Sequence, residues 1–241
     1  MIKNIAICDS GVGGLFLLDK LYKNFENFNY VYICDKQNLP YGNKSESQIK
    51  EYCLNAINTA IKFNANLLIV ACNTMSEIGE EIFLSCKQIP VLFVRHDLRK
   101  ILASNMKKGR FFCTVATAKS KQISSLKRLN KGFVFPLKNL ALQIENNALN
   151  LENFTPDFLN KSYKNIFKVY LGCTHYPLIL NKFKKSFPNA TFYDGSEEII
   201  RTIKNFIYTK AAQNNPIKTQ AKKLFVGSGN LYALKVFKSI F

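Results

Sequence analysis

The chain has 241 residues, 47% apolar and 21% charged, so it can bury the core of one large domain or two small ones and is not a disordered tail. No apolar run approaches the ~18 residues of a bilayer span, and the segment from Met1 reaches Asp9 too soon to hold a signal-peptide core, so a cytoplasmic protein with no membrane segment is expected. The net charge of +18 invites polyanions, but the basic residues are mostly lysines spread along the chain, which describes a solvated surface better than a nucleic-acid patch.

Apolar, β-branched runs alternate with helical patterns from end to end. Strands are expected over 5–8, 30–34, 67–71 and 91–94, then over 111–115, 133–135, 169–172, 191–193 and 224–226. Between the second and third runs, Ile49, Cys53, Ala56, Ile57, Ala60 and Ile61 repeat near the helical period. Ser45-Glu46-Ser47-Gln48 supplies a capping box there, so the spacing predicts a helix over 45–63. Strand–helix alternation predicts an α/β protein with mainly parallel sheets.

Active sites in such folds lie past the carboxyl ends of strands, and four runs end in residues capable of chemistry. The first enters Asp9-Ser10-Gly11-Val12-Gly13-Gly14, a turn whose backbone N–H groups suit an anion. It lacks the Gly-Lys-Ser/Thr of a Walker loop, and Phe16 stands where a dinucleotide fingerprint has its third glycine. A small carboxylate is the natural ligand. The second run leads through Asp35 to the turn Pro40-Tyr41-Gly42. The third ends at Cys72-Asn73-Thr74 and the fourth at Cys173-Thr174-His175-Tyr176-Pro177. These two ends are alike, which predicts two similar α/β halves facing each other.

Cys8, Cys34, Cys53, Cys86 and Cys113 read as small core residues, and the absence of any C-x-x-C pair suits a reducing compartment. Cys72 and Cys173 differ, because each stands between a strand end and a helix start, where the dipole and polar neighbours favour thiolate. His175 lies two residues from Cys173, and Asp9 can approach Cys72 from a neighbouring strand. Two such thiols suit a pair of bases on opposite sides of one substrate: one takes an α-proton while the other donates from the opposite face. Ser10, Asn73, Thr74 and Thr174 supply neutral donors for the enediolate-like charge that develops. With His96 and His175 the only histidines, a His-rich metal site is excluded.

Together these motifs resemble glutamate racemase, in the cofactor-independent aspartate/glutamate racemase superfamily. The matching stretches are 9–15, Asp35 with 40–45, 71–74, 114–120 (Thr114-x-x-Thr117-x-Lys119-Ser120) and 172–177, in family order across nearly the whole chain. The resemblance implies two facing α/β domains, 1–94 plus 206–241 on the Cys72 side and 95–205 on the Cys173 side. It implies interconversion of L- and D-glutamate without pyridoxal phosphate, metal or other cofactor, supplying D-glutamate for peptidoglycan. Cys72 then handles the proton of D-glutamate and Cys173 that of L-glutamate, with Asp9 and His175 assisting. Ser10, Pro40, Tyr41, Gly42, Asn73, Thr74, Thr114, Thr117 and Thr174 hold the substrate. Members of the family are often homodimers, and some bind DNA gyrase.

Departures from the family pattern are Arg95-His96-Asp97-Leu98, where an acidic residue, Pro or Ala, and Gly are usual, and Leu137-Lys138-Asn139, where Leu-Val-Glu is usual. Glu145 lies nearby in sequence. The loop between Asp35 and Pro40 also lacks the usual Thr-Ala-Arg. Racemisation of aspartate or another amino acid is the nearest alternative. A racemase-fold protein that acts by binding gyrase or nucleic acid is a second, and a one-thiol hydrolase or isomerase a third.

Overall fold

Each apolar run forms a strand in the computed structural model, which describes residues 3–211 and 222–227. The strands are β1 (Asn4–Asp9), β2 (Asn29–Cys34), β3 (Leu67–Val70), β4 (Val91–Phe93), β5 (Gly109–Cys113), β6 (Val134–Pro136), β7 (Lys168–Gly172), β8 (Thr191–Tyr193) and β9 (Lys223–Gly227). Helices α1 (Leu15–Asn24), α2 (Glu46–Lys62), α3 (Asn73–Ile78), α4 (Glu80–Ser85) and α5 (Leu98–Leu102) occupy the first half. Then come α6 (Val115–Lys119), α7 (Lys121–Leu129), α8 (Leu140–Asn146), α9 (Leu180–Ser186) and α10 (Ser196–Ala211).

The strands form two parallel sheets, one of five strands in the order β4-β3-β1-β2-β9 and one of four in the order β6-β5-β7-β8. Parallel strands need helices on both faces, and the side-chain alternation supplies two apolar surfaces per sheet. On the first sheet Ile5 and Ile7 pack with Leu18 and Leu21 of α1 and with Ile199 and Ile203 of α10. Ala6 and Cys8 face the other way, onto Ile49 and Cys53 of α2, Met75 of α3 and Phe83 of α4. On the second sheet Phe112, Val169 and Leu171 pack under α8 and α9, while Phe111, Cys113 and Tyr170 pack under α5, α6 and α7. Complete burial of a side chain such as Ile203 contributes about 1.5–3 kcal/mol to holding α10 against the first sheet.

Local signals set the helix limits. Ser45 caps α2: its Oγ accepts from the Gln48 N–H at 3.3 Å, and the Gln48 side chain accepts from the Ser45 N–H at 3.0 Å. The strand expected over 111–115 stops earlier, at Cys113. Thr114 is instead the N-cap of α6, its hydroxyl accepting from the Thr117 N–H at 3.1 Å. A β-branched pair there reads as strand, but capping the next helix satisfies a backbone donor that a longer strand would leave to find another partner. Within the C-terminal stretch, β9 joins the first sheet beside β2; 212–221 and 228–241 lie outside the described residues.

Candidate active site

In an open parallel sheet the chain leaves a crevice where successive connections run to opposite sides. In the first sheet β1 lies between β2 and β3, and in the second β5 lies between β6 and β7. The carboxyl ends beside the first crevice carry Asp9, Ser10 and Cys72, and those beside the second carry Thr114 and Cys173. Both crevices open into one narrow cavity, with Cys72 and Cys173 both in its wall. Sequence-expected Ser10, Asn73, Thr74, Thr114, Thr174 and His175 share that wall, as do Pro40, Tyr41 and Gly42. Asp9 and Thr117 stand one contact behind it. Leu39, Asn43, Val115, Leu137, Asn139 and Ala141 complete the lining without having been singled out as substrate contacts from sequence.

The two thiols have different surroundings. Cys72 Sγ lies 3.8 Å from Ser10 Oγ. Burial, then the charge of Asp9, pushes its pKa well up, outweighing hydrogen bonds with the Met75 N–H and Ser10. This corrects the expectation of a thiolate at a helix start: α3 has six residues, and its dipole does not overcome the loss of water. Cys173 Sγ lies 3.9 Å from His175 Nδ1. Burial alone would lower the His175 pKa, but hydrogen bonds with Cys173 and Glu145 raise it well above the usual histidine value. Asp9, held at Oδ1 by the Gly11 N–H at 3.0 Å, is raised by burial to about 6, although His175 and Gly11 pull it down.

Hydroxyls from the two sheets meet at the cavity wall. Thr74 Oγ1 lies 3.0 Å from Thr114 Oγ1 and 3.2 Å from Thr117 Oγ1, so one residue after β3 meets two after β5. The Tyr41 hydroxyl donates to Asp35 Oδ2 at 2.6 Å, leaving its ring as the wall. The glycine-rich turn packs directly on the opposite sheet's chemistry. A Cβ on Gly13 would lie 2.6 Å from Thr174 Oγ1 and 2.7 Å from His175 Nδ1, so only glycine permits the approach. Among the described residues, no His, Cys, Asp and Glu cluster has the arrangement of a metal site.

No family model matches the chain. A glutamate racemase of Clostridium botulinum (strain Alaska E43 / Type E3) is 34% identical over 187 residues, which are 73% of this chain and 72% of that protein. The chain belongs to the glutamate racemase family. Among solved structures, the glutamate racemase of Aquifex pyrophilus superposes with a TM-score of 0.71 at 26% identity, covering 98% of this chain and 94% of that one. The Escherichia coli glutamate racemase, solved with L-glutamate and the activator UDP-MurNAc-ala, gives 0.78 at 21% identity, over 100% and 94% of the two chains.

The departures from the glutamate racemase pattern have structural counterparts. Arg95 donates to Glu80 Oε1 at 2.6 Å and to the Ser76 carbonyl. His96, half-buried against Phe111 and Tyr170 of the second sheet, lies 3.2 Å from the Leu171 carbonyl. Asn139 precedes α8 with a φ of 61°, a left-handed conformation that asparagine tolerates better than glutamate. Its Oδ1 accepts from Asn43 Nδ2 at 2.9 Å, joining residues on opposite sides of the cleft.

Proposed function

We propose that this chain interconverts L- and D-glutamate by two-thiol proton transfer at the α-carbon, in the cytoplasm, supplying D-glutamate for peptidoglycan. The observation that carries the reading is that Cys72 and Cys173, from the carboxyl ends of central strands in two separate sheets, line one cavity. A substrate α-carbon held between them has one sulfur on each face. One thiolate removes the α-proton, leaving the electron pair on the α-carbon and its carboxylate. The opposing thiol returns a proton to the other face, and the configuration inverts.

Ser10, Asn73, Thr74, Thr114 and Thr174 supply neutral donors for the substrate carboxylates and the charge that develops on one of them. Burial of both sulfurs excludes water, which strengthens those interactions, and at Cys72 it favours the neutral thiol in the absence of a proton acceptor. Asp9 beside Cys72 and His175 beside Cys173 are the acceptors we assign. L-Glutamate is the ligand bound by the Escherichia coli relative, and family membership carries that substrate class to this chain. In domain terms, the boundary expected at 205/206 cuts α10, whose Ile199 and Ile203 pack on the first sheet, so we assign 1–94 plus the described residues from Ser196 on to the Cys72 unit and 95–195 to the Cys173 unit.

Circular dichroism of glutamate solutions incubated with the protein tests the reading. L- and D-glutamate should each lose their signal toward zero, and aspartate should keep its own. Inversion of aspartate with glutamate untouched would transfer the reading to an aspartate racemase.

A further inference from the structure

Glu145 of α8 is 0% exposed, and the two-thiol exchange as described does not use it. A buried carboxylate costs several kcal/mol to desolvate unless its oxygens are matched. Here the match is specific. Glu145 Oε2 lies 2.9 Å from His175 Nε2 and accepts from the Val12 N–H, also at 2.9 Å. Its other oxygen has no hydrogen bond and lies 3.8 Å from Lys36 Nζ. A carboxylate only accepts, so the proton it shares with His175 sits on Nε2, and the opposite ring nitrogen is the one turned to Cys173.

Resting on the racemase reading of the cleft, we infer that Glu145 is the positioning residue of His175: it fixes the ring and its Nε2–H, so that Nδ1 exchanges a proton with Cys173. The proton balance closes within the chain. The Cys173 S–H proton moves to His175 Nδ1, giving thiolate and imidazolium, and Glu145 stabilises the imidazolium without itself taking a proton. The Val12 bond gives the same carboxylate a second role, because Val12 belongs to the glycine-rich turn of the opposite sheet. The carboxylate that orients His175 is thereby tied to the first sheet as well. Gly11 is part of this arrangement, since a Cβ there would collide with Glu145 Oε2. The other titratable groups facing the pair are Asp9 from β1, Tyr32 and Cys34 from β2, Lys36 and Cys173.

The test needs no racemase activity. Iodoacetamide labelling at Cys72 and Cys173 is followed across pH by mass spectrometry, in wild type and in Glu145→Gln. The variant should slow Cys173 labelling at neutral pH about tenfold and leave Cys72 within about twofold. Combining Glu145→Gln with His175→Asn should add nothing to His175→Asn alone. An unchanged Cys173 profile in a folded Glu145→Gln protein overturns the inference. Nitrogen-15 NMR of wild-type His175 gives a readout independent of any variant's folding. A protonated Nε2 is expected, and a neutral ring with its proton on Nδ1 overturns the assignment. If these results hold while glutamate keeps its α-proton, the racemase reading fails and the Glu145–His175–Cys173 relay stands.

Discussion

Asp9 shows how one side chain ties stability to chemistry. Its carboxyl is buried, Oδ2 has no hydrogen-bond partner, and the group is raised to about 6. An unfolded aspartate titrates near ~3.9, so folded Asp9 holds its proton more tightly. Its contribution to stability is greatest below about pH 4 and is lost as pH rises through about 6. At pH 8 the buried charge costs up to about 3 kcal/mol. Asp9→Asn should therefore melt higher than wild type at pH 8 and level with it at pH 4, while racemisation falls at least about 10²-fold. Equal melting shifts at both pH values would show that Asp9 is not raised.

Between residue and fold, the glycine-rich turn and the helix caps separate activity from stability. Gly13→Ala places a methyl between the turn and Thr174-His175. Overpacking of this kind costs about 1–3 kcal/mol, and a displacement near 1 Å of a catalytic group costs about 10²-fold in rate. We expect a folded variant with a large loss in kcat and a small drop in melting temperature. Ser45→Ala should do the reverse, lowering stability by about 1 kcal/mol in urea melts through loss of the α2 cap, with kcat unchanged. The α2 cap was legible because its donors and acceptors are three residues apart. The positions of β1, β2, β3, β5 and β7 were legible because these inner strands are buried on both faces, leaving uninterrupted apolar runs. The end of β5 was not, since Thr114 and Val115 suit a strand and a helix start equally well in sequence.

At the scale of the whole molecule, the site exists only because two sheets face each other. Cys72 and Cys173 could be paired from sequence, as each follows an apolar run and precedes hydrogen-bonding residues. Glu145 could not: it meets His175 from 30 residues away and Val12 from 133, and no local pattern encodes either contact. Asn139 and Ala141 likewise reach the cavity only because α8 packs under the second sheet. The net charge of +18 acts on the whole surface. Raising NaCl from about 0.05 M to about 0.5 M should raise the melting temperature by screening self-repulsion, and should lower kcat/KM for anionic glutamate by roughly two- to tenfold. A kcat/KM indifferent to salt would show that surface charge plays no part in substrate capture.

The central claim is that two thiols on opposite faces exchange the α-proton of one glutamate. Proton NMR in deuterated water tests it most directly, following the α-proton of L- and then D-glutamate with wild type, Cys72→Ala and Cys173→Ala. The account predicts loss of the α-proton signal from both enantiomers with wild type, together with inversion, and no inversion with either variant. Retention of the signal from both enantiomers with folded wild-type protein would contradict it, as would inversion that survives removal of one thiol.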